Sequence, residues 1–205
     1  MFPNIEIAVL VPCFNEEASI ETVVRSFREA LPGATVYVYD NNSTDSTIQI
    51  ARAAGAVVRS ESLQGKGNVV RRMFADVEAD IYLMVDGDAT YHAPSAPILV
   101  QTLIDEAADM VTGVRDHGDE TGAYRFGHVF GNRMLTKMVV WIFGEQVEDM
   151  LSGYRAFSRR FVKSFPALSA GFEIETELTV HALELAMPMT SVITPYRDRP
   201  DGSDQ

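Results

Sequence analysis

Apolar and polar positions follow two different periods along the chain. Runs rich in β-branched residues predict strands at residues 5–11, 35–39, 56–59, 81–85, 110–114 and 190–194. Between them, apolar residues spaced by three and four predict helices from Asn15 to Gly33, from Ser43 or Asp45 to Ala54, and at residues 67–77, 97–107, 124–143, 157–165 and 173–187. Strands that alternate with helices in this way predict an α/β fold, with a mostly parallel central sheet flanked by helices in a single domain.

Length and composition limit the class of protein. A chain of 205 residues, 46% of them hydrophobic, can bury one sizeable core. Its 29 acidic residues outnumber the 17 basic ones and give a formal charge of −12. A surface of this charge is not expected to bind nucleic acid, and an anionic ligand needs a local basic site.

The single cysteine and the short apolar runs are typical of a cytoplasmic protein. Cys13 has no second cysteine with which to form an internal disulfide, which suits a reducing compartment. The polar start of the chain leads into a strand pattern followed by a turn, not into a signal-peptide cleavage site. No apolar run reaches the roughly 18–20 residues of a membrane span.

Three acidic clusters each follow a predicted strand, at residues 12–16, 40–45 and 86–88. Because parallel strands end at one edge of a sheet, where α/β proteins bind ligands, the clusters are expected to converge. The segment Asp86-Gly87-Asp88 places two carboxylates at a strand end, which suits Mg²⁺ or Mn²⁺ with phosphate oxygens as further ligands. Asp-Gly is also a common turn dipeptide, and it is the two companion clusters that favour a metal site.

Two basic segments could bind an anion. The run Gly65-Lys66-Gly67-Asn68 opens a helix that carries Arg71, so backbone donors, the helix dipole and a cation meet there, although a plain loop is the alternative. Residues 149–155 place Asp149 and Arg155 in a predicted turn before a helix. Arg115 follows a strand at the acidic edge, where a ligand role is at least as well supported as a surface salt bridge.

The remaining candidate groups have simpler explanations. The four histidines show no metal-ligand spacing. Glu173 and Glu175 at a helix start are explained by capping, and a place on the floor of an active site is the alternative.

Taken in order, these motifs resemble family 2 of the glycosyltransferases, which have the Rossmann-like GT-A fold. They resemble most its polyprenyl-phosphate branch, typified by dolichol-phosphate mannose synthase and bacterial polyprenyl-phosphate glycosyltransferases. The resemblance covers nearly the whole chain and is carried by Val-Pro-Cys-Phe-Asn-Glu-Glu, Asp-Asn-Asn-Ser-Thr-Asp-Ser-Thr, Gly-Lys-Gly-Asn-Val-Val-Arg and Val-Asp-Gly-Asp-Ala-Thr-Tyr. It implies one catalytic domain over residues 1–205, with a nucleotide-sugar-binding half at 1–115 and an acceptor-binding half at 116–205.

The resemblance also implies a role for each site residue. The catalytic residues would be Asp88, Arg115, Asp149 and Arg155. The nucleotide-sugar would be bound by Pro12, Phe14, Glu16, Asp40, Lys66, Arg71, Asp86 and Gly87. The metal, Mg²⁺ or Mn²⁺, would be held by Asp86 and Asp88, and the acceptor phosphate by Arg133, Ser152, Arg197 and Arg199.

Two positions depart from the family pattern. Asn41 stands where the family has the second Asp of Asp-Asp-Gly-Ser, which leaves one carboxylate fewer near the base. Thr90 stands where mannose synthases of this type can present a Gln.

The implied reaction transfers a hexose, with inversion, from a UDP-glucose or GDP-mannose type of donor to a polyprenyl phosphate. An ionised phosphate acceptor needs no strong general base, so Asp149 is expected to organise Arg155 or the acceptor. One alternative acceptor is a carbohydrate hydroxyl, with Asp149 as the base. Another interpretation is a nucleotide-sugar-binding module without catalysis that recruits a partner through residues 134–143. A nucleotidyltransferase would instead show a Gly-rich, Arg-containing loop where this chain has residues 12–16.

The last residues resemble a family segment as well. Residues 196–203 are similar to the pattern Tyr-Arg-X-Arg-X-X-Gly-Ser, which in relatives leads to a Ser-Lys stretch and often to membrane-attached helices. The resemblance therefore predicts that the 205 residues are the catalytic part of a longer protein at the cytoplasmic face of a membrane, and it leaves a homo-oligomer open.

Overall fold

A seven-stranded sheet runs through the part of the chain that the computed structural model describes, which is residues 2, 4–116 and 148–197. Its strands are β1 (Ile7–Cys13), β2 (Thr35–Asp40), β3 (Val57–Ser60), β4 (Ile81–Met84), β5 (Met110–Asp116), β6 (Arg155–Ser158) and β7 (Met189–Pro195). Their order across the sheet is β3-β2-β1-β4-β6-β5-β7. β6 is antiparallel to both of its neighbours, and the other pairs are parallel.

Helices cover both faces of this sheet. They are α1 (Ile20–Ala30), α2 (Thr47–Ala53), α3 (Lys66–Asp76), α4 (Ala96–Asp105), α5 (Arg159–Ser164) and α6 (Ile174–Glu184), with a 3-10 turn at Ala93–Ser95. Alternate residues of β1 point to opposite faces: Val9 and Val11 pack with the core of α1 and α4, while Ala8 and Leu10 pack with that of α3, α5 and α6. A sheet buried on both faces explains why β4 is apolar throughout.

The fold class predicted from the sequence is confirmed, with one strand missed. The six predicted strands are present with bounds shifted by a few residues, but Arg155–Ser158 forms β6, where the sequence pattern predicts a turn and the start of a helix. Unlike β3 and β4, β6 contains no β-branched residue, and its extended conformation comes from pairing between β4 and β5. The predicted helix at 124–143 lies outside the described residues.

Parallel pairing brings the ends of several strands to one edge of the sheet. The carboxyl ends of β1, β2, β4, β5 and β7 meet there, and β6 begins there because it runs the opposite way. Among the described residues, no helix is long and apolar enough to cross a membrane.

Candidate active site

The loops that follow β1 and β2 are bonded to each other. The Asn15 N–H donates to the Ser43 hydroxyl at 2.8 Å, and the Asn15 side-chain oxygen accepts from the Thr44 N–H at 2.9 Å. The Glu16 N–H donates to the Thr47 hydroxyl at 2.8 Å. These bonds hold the first two acidic clusters together, as the sequence predicts.

Asp40 is a buried carboxylate with one oxygen left over. Its side chain is at the end of β2 in a residue only 2% exposed, and its Oδ2 accepts from the Ser43 N–H at 3.2 Å. Its Oδ1 is buried and has no hydrogen-bond partner among the residues that the structure describes. A buried acceptor without a donor is costly, so this oxygen suits a ligand that brings an N–H or O–H group.

The third acidic cluster packs directly against the first. A Cβ added to Gly87 would lie 2.6 Å from the Cys13 sulfur, so only glycine allows this approach between the ends of β1 and β4. Burial, and after it the charges of Glu16, Asp40, Asp86 and Asp88, raise the pKa of the Cys13 thiol. Four carboxylates from three strand ends therefore surround one buried position.

Lys66, the first residue of α3, links the acidic edge to α6. Its Nζ donates to Asp86 Oδ1 at 2.5 Å and to Glu175 Oε1 at 2.6 Å. Burial opposes the charge on this ammonium, but the two carboxylates outweigh burial, so the pKa of Lys66 is raised. Two negative partners hold the lysine charged and in one position.

Glu175 lies at the site, although the sequence alone is explained by a helix-capping role for this residue. It is buried at the start of α6, and its carboxylate reaches Lys66 rather than a backbone N–H of its own helix. The sequence indicates this role only by placing a second acidic residue two positions after Glu173. Glu173 itself is exposed. Periodicity alone does not tell which of the two faces the sheet edge.

Asp88 is held in place by Thr90. Its Oδ1 accepts from the Thr90 N–H at 3.2 Å and from the Thr90 hydroxyl at 2.7 Å. Thr90 therefore orients the Asp88 carboxylate just beyond the end of β4.

The donor set of this edge fits a metal that shares its ligands with a substrate. Within the described ranges, no three His, Cys, Asp or Glu side chains form a cluster that could hold a metal by themselves. Asp86 and Asp88 offer hard carboxylate oxygens beside Gly87, and a hard divalent cation with few protein ligands takes phosphate and water oxygens as the others. The two carboxylates thus fit Mg²⁺ or Mn²⁺ bound together with a diphosphate.

Arg115 and Asp149 form a paired group across the edge from Lys66. Both oxygens of Asp149 accept from the guanidinium of Arg115, at 2.6 and 2.7 Å, and the Arg115 N–H donates to Oδ2 at 3.1 Å. The guanidinium also lies 5.5 Å from the ring centre of Tyr196. This bidentate geometry fixes the guanidinium plane at the end of β5.

The sequence matches the family model described as Glycosyl transferase family 2 over residues 8–165, which is well over half of the chain. The chain belongs to glycosyl transferase family 2. Glucosyl-3-phosphoglycerate synthase of Mycobacterium tuberculosis has the same fold, with a TM-score of 0.80 and 28% identity over 96% of this chain and 74% of that one. The same enzyme has been solved with Mn²⁺, uridine diphosphate and glucosyl-3-phosphoglycerate. The match confirms the GT-A fold expected from the sequence.

Two curated relatives extend the comparison. Protein RfbJ of Shigella flexneri is 55% identical over 62% of this chain and 99% of its own length. Glycosyltransferase AglJ of Haloferax volcanii is 39% identical over 97% of this chain but only 65% of its own length. The chain thus spans about two thirds of AglJ.

The structure brings together most of the residues that the family resemblance selects. Pro12, Glu16 and Asp40 are buried at the ends of β1 and β2, and Phe14 beside them is 36% exposed. Asp86, Gly87, Asp88, Lys66 and the Arg115–Asp149 pair lie along the same edge. Arg133 and Arg199 lie outside the described residues, so their roles stay predictions.

Two of the selected residues serve the core under the site. Arg155 is 0% exposed, and its guanidinium donates to the carbonyls of Ser152 and Met150 and to the Thr179 hydroxyl. Asp149, which the sequence predicts to organise Arg155 or the acceptor, forms its ion pair with Arg115, while β6 carries Arg155 inward into the sheet. Ser152 is also fully buried, and its hydroxyl donates to the Gly113 carbonyl at 2.7 Å.

The other two basic candidates, Arg71 and Arg197, are exposed. Arg71 donates to the Ala167 carbonyl at 3.4 Å and to the side chain of Asn68. The Arg197 N–H donates to the Thr90 carbonyl at 2.9 Å. Arg197 therefore lies next to the residue that holds Asp88.

Replacing Glu175 by glutamine is expected to raise the metal concentration at half-maximal rate about tenfold. The substitution replaces one of the two charged partners of Lys66 with a neutral amide, so Asp86 holds the ammonium more tightly. A hydrogen bond to a charged group contributes roughly 1.5–3 kcal/mol. Initial rates over a Mn²⁺ titration measure this value. The exposed neighbour gives the control, Glu173→Gln, and equal behaviour of the two variants would contradict a role for Glu175 at the site.

Proposed function

We propose that the protein transfers a hexose from a nucleoside diphosphate sugar to a polyprenyl phosphate, with inversion at the anomeric carbon. The observation that carries the proposal is the Arg115–Asp149 pair, because both oxygens of the Asp149 carboxylate are engaged by the Arg115 guanidinium. Such a carboxylate is a poor general base, and a phosphate acceptor does not need one. Its acceptor would bring the chain to the cytoplasmic face of a membrane.

The donor would lie over the ends of β1 and β2. The unpartnered oxygen of Asp40 suits an N–H of the base or a hydroxyl of the ribose, and Phe14 offers a half-exposed ring for stacking. Pro12, Glu16 and Gly87 would form the walls of this pocket. Support comes from the Mycobacterium tuberculosis synthase, which has been solved with UDP-glucose and Mn²⁺.

Asp86 and Asp88 would hold the divalent cation at the end of β4. When bound, the cation neutralises the charge that develops on the nucleoside diphosphate as it leaves. Lys66 keeps Asp86 oriented through its 2.5 Å bond, and Thr90 keeps Asp88 oriented. The chain therefore supplies an ordered pair of carboxylates rather than a closed metal cage.

The acceptor phosphate would lie near Arg115. An arginine held by a carboxylate on one side can direct its remaining N–H groups to a phosphate, as in other phosphate sites. Phosphate oxygens are largely ionised at neutral pH, so one of them can attack the anomeric carbon in line, without prior removal of a proton. Among the relatives, dolichyl-phosphate hexose transferase of Haloferax volcanii is 27% identical over 95% of this chain and 84% of its own length.

A small phosphorylated acceptor is the second candidate. The Mycobacterium tuberculosis synthase has been solved with phosphoglyceric acid together with UDP-glucose and Mn²⁺. The shared chemistry is a phosphate near the site, and the two candidates differ in whether that phosphate is the nucleophile or a handle for another group.

Changing Asp149 to asparagine is expected to reduce the turnover number with a polyprenyl phosphate by only about tenfold. Arg115 would lose its charged partner and part of its orientation, whereas no proton transfer would be lost. General base catalysis contributes roughly 10²–10⁴-fold, so a base would show a much larger loss. Steady-state rates as a function of pH measure the difference.

The form of the pH profile separates the interpretations further. The profile of Asp149→Asn is expected to keep the shape of the wild-type profile, with a raised KM for the acceptor. A drop of a thousandfold in turnover, together with loss of the acidic limb of the profile, would show that Asp149 is the base and that the acceptor is a hydroxyl.

A further inference from the structure

The loop between α5 and α6, residues 165–173, carries the two most exposed large apolar side chains of the described residues. Leu168 is 79% exposed and Phe172 is 74% exposed. Single exposed apolar residues are common in soluble proteins. Two large exposed apolar side chains on one short loop beside the candidate active site form a candidate binding surface.

The backbone of this apolar loop is held firmly. The Leu168 and Ser169 N–H groups both donate to the carboxylate of Glu177, each at 2.7 Å. At the other side, the Ala170 carbonyl accepts from the Gly67 N–H at 2.9 Å. The loop therefore presents Leu168 and Phe172 to solvent from a fixed backbone, which lowers the ordering cost of a contact.

Two glycines let this loop lie directly on the start of α3. A Cβ added at Gly65 would collide with the Ala170 carbonyl oxygen, and one added at Gly67 would collide with that of Ser169. Lys66 lies between the two glycines, and the Phe172 ring centre is 5.9 Å from its Nζ. Because Lys66 also binds Asp86, the exposed ring is one side chain away from the acidic edge.

We propose that Leu168 and Phe172 form a contact surface for the acceptor's hydrocarbon chain beyond the two isoprene units nearest its phosphate. This inference rests on the proposed function, and it places the apolar part of the acceptor beside the charged edge that takes its phosphate. The formal charge of −12 repels anionic lipid headgroups. Apolar contact with the hydrocarbon chain would therefore add to the affinity that Arg115 supplies for the acceptor phosphate.

The test compares two acceptors that differ in chain length. Wild-type protein and the double variant Leu168→Ser with Phe172→Ser are assayed with geranyl phosphate and with undecaprenyl phosphate in detergent micelles. The ratio of kcat/KM for the long acceptor to kcat/KM for the short one is expected to fall about tenfold in the double variant, equivalent to about 1.4 kcal/mol. The single variant Leu168→Ser, which leaves the ring over Lys66 in place, is expected to lower the ratio about threefold.

A matched control removes an exposed leucine elsewhere. Leu185 is 53% exposed at the far end of α6, and Leu185→Ser is expected to leave the ratio unchanged. Thermal unfolding of each variant verifies that the fold is retained, and the single variant keeps the test valid if the double variant is unstable.

Three results would overturn the inference, and they are distinguishable. An unchanged ratio in both variants, with a wild-type protein that uses both acceptors, would refute the apolar loop while leaving the proposed function intact. A wild-type protein that uses neither acceptor would refute the proposed function as well. Weaker binding of the variants to vesicles without acceptor, at an unchanged ratio, would identify the loop as a bilayer contact instead.

Discussion

Asp88→Ala is expected to lower the rate of sugar transfer at saturating Mn²⁺ by about a thousandfold. Asp88 is buried just beyond β4, and Thr90 holds one of its oxygens through two hydrogen bonds. Preorganised groups that stabilise charge developing in a transition state contribute roughly 3–4 kcal/mol each, which corresponds to the expected loss. The measurement is the initial rate of nucleoside diphosphate release over a range of Mn²⁺ concentrations.

The matched control for this variant is Asp105→Ala. Asp105 is exposed at the last turn of α4 and bonds only to Gln101 of its own helix among the contacts described. Its loss is expected to leave the rate within about twofold, since surface changes of this kind are nearly neutral. If Asp88→Ala turned over like wild-type protein at saturating Mn²⁺, Asp88 would not be a metal ligand.

Arg155→Met is expected to destabilise the fold by about 3 kcal/mol. The side chain is fully buried, and its removal leaves two backbone carbonyls and the Thr179 hydroxyl without their charged donor. Burial lowers the pKa of Arg155, so part of the loss is offset because the buried charge is removed too. For a chain of this size the change corresponds to a melting temperature lower by about 6–12 °C.

The control for this change is Arg159→Met on the protein surface. Arg159 pairs with Glu78, and both side chains are more than half exposed. Exposed pairs contribute at most about 1 kcal/mol, so this variant should unfold close to wild type. Normal stability of Arg155→Met with lost transfer activity would instead support the catalytic role that the family resemblance implies for Arg155.

Much of the fold could be predicted because each parallel strand carries its own signal. The all-apolar run Ile81–Met84 predicts a strand buried on both faces, and the amphipathic pattern of Ile20–Ala30 predicts a helix with one buried face. Strand β6 could not be predicted in the same way. Its four residues are extended because β4 and β5 provide partners on both sides, and the paired residues lie more than 40 positions away along the chain.

The candidate site shows the same division between local and distant information. Asp86, Asp88 and Asp40 could be selected because each directly follows a strand, and the parallel sheet then brings them together. The pairing of Arg115 with Asp149 and of Lys66 with Glu175 joins residues 34 and 109 positions apart. No periodicity encodes such partners, so the sequence suggests Arg155 or the acceptor as the partner of Asp149, and a helix cap or a place on the site's floor for Glu175.

The most direct test of the proposed activity is the mass of the product formed from a panel of donors and acceptors. UDP- and GDP-sugars would be offered with Mn²⁺ or Mg²⁺ to a polyprenyl phosphate, to phosphoglyceric acid and to a glycan. The account predicts a polyprenyl phosphate that has gained one hexose, formed only when the divalent cation is present. A product on phosphoglyceric acid or on the glycan alone, with no transfer to the lipid phosphate from any donor, would contradict it.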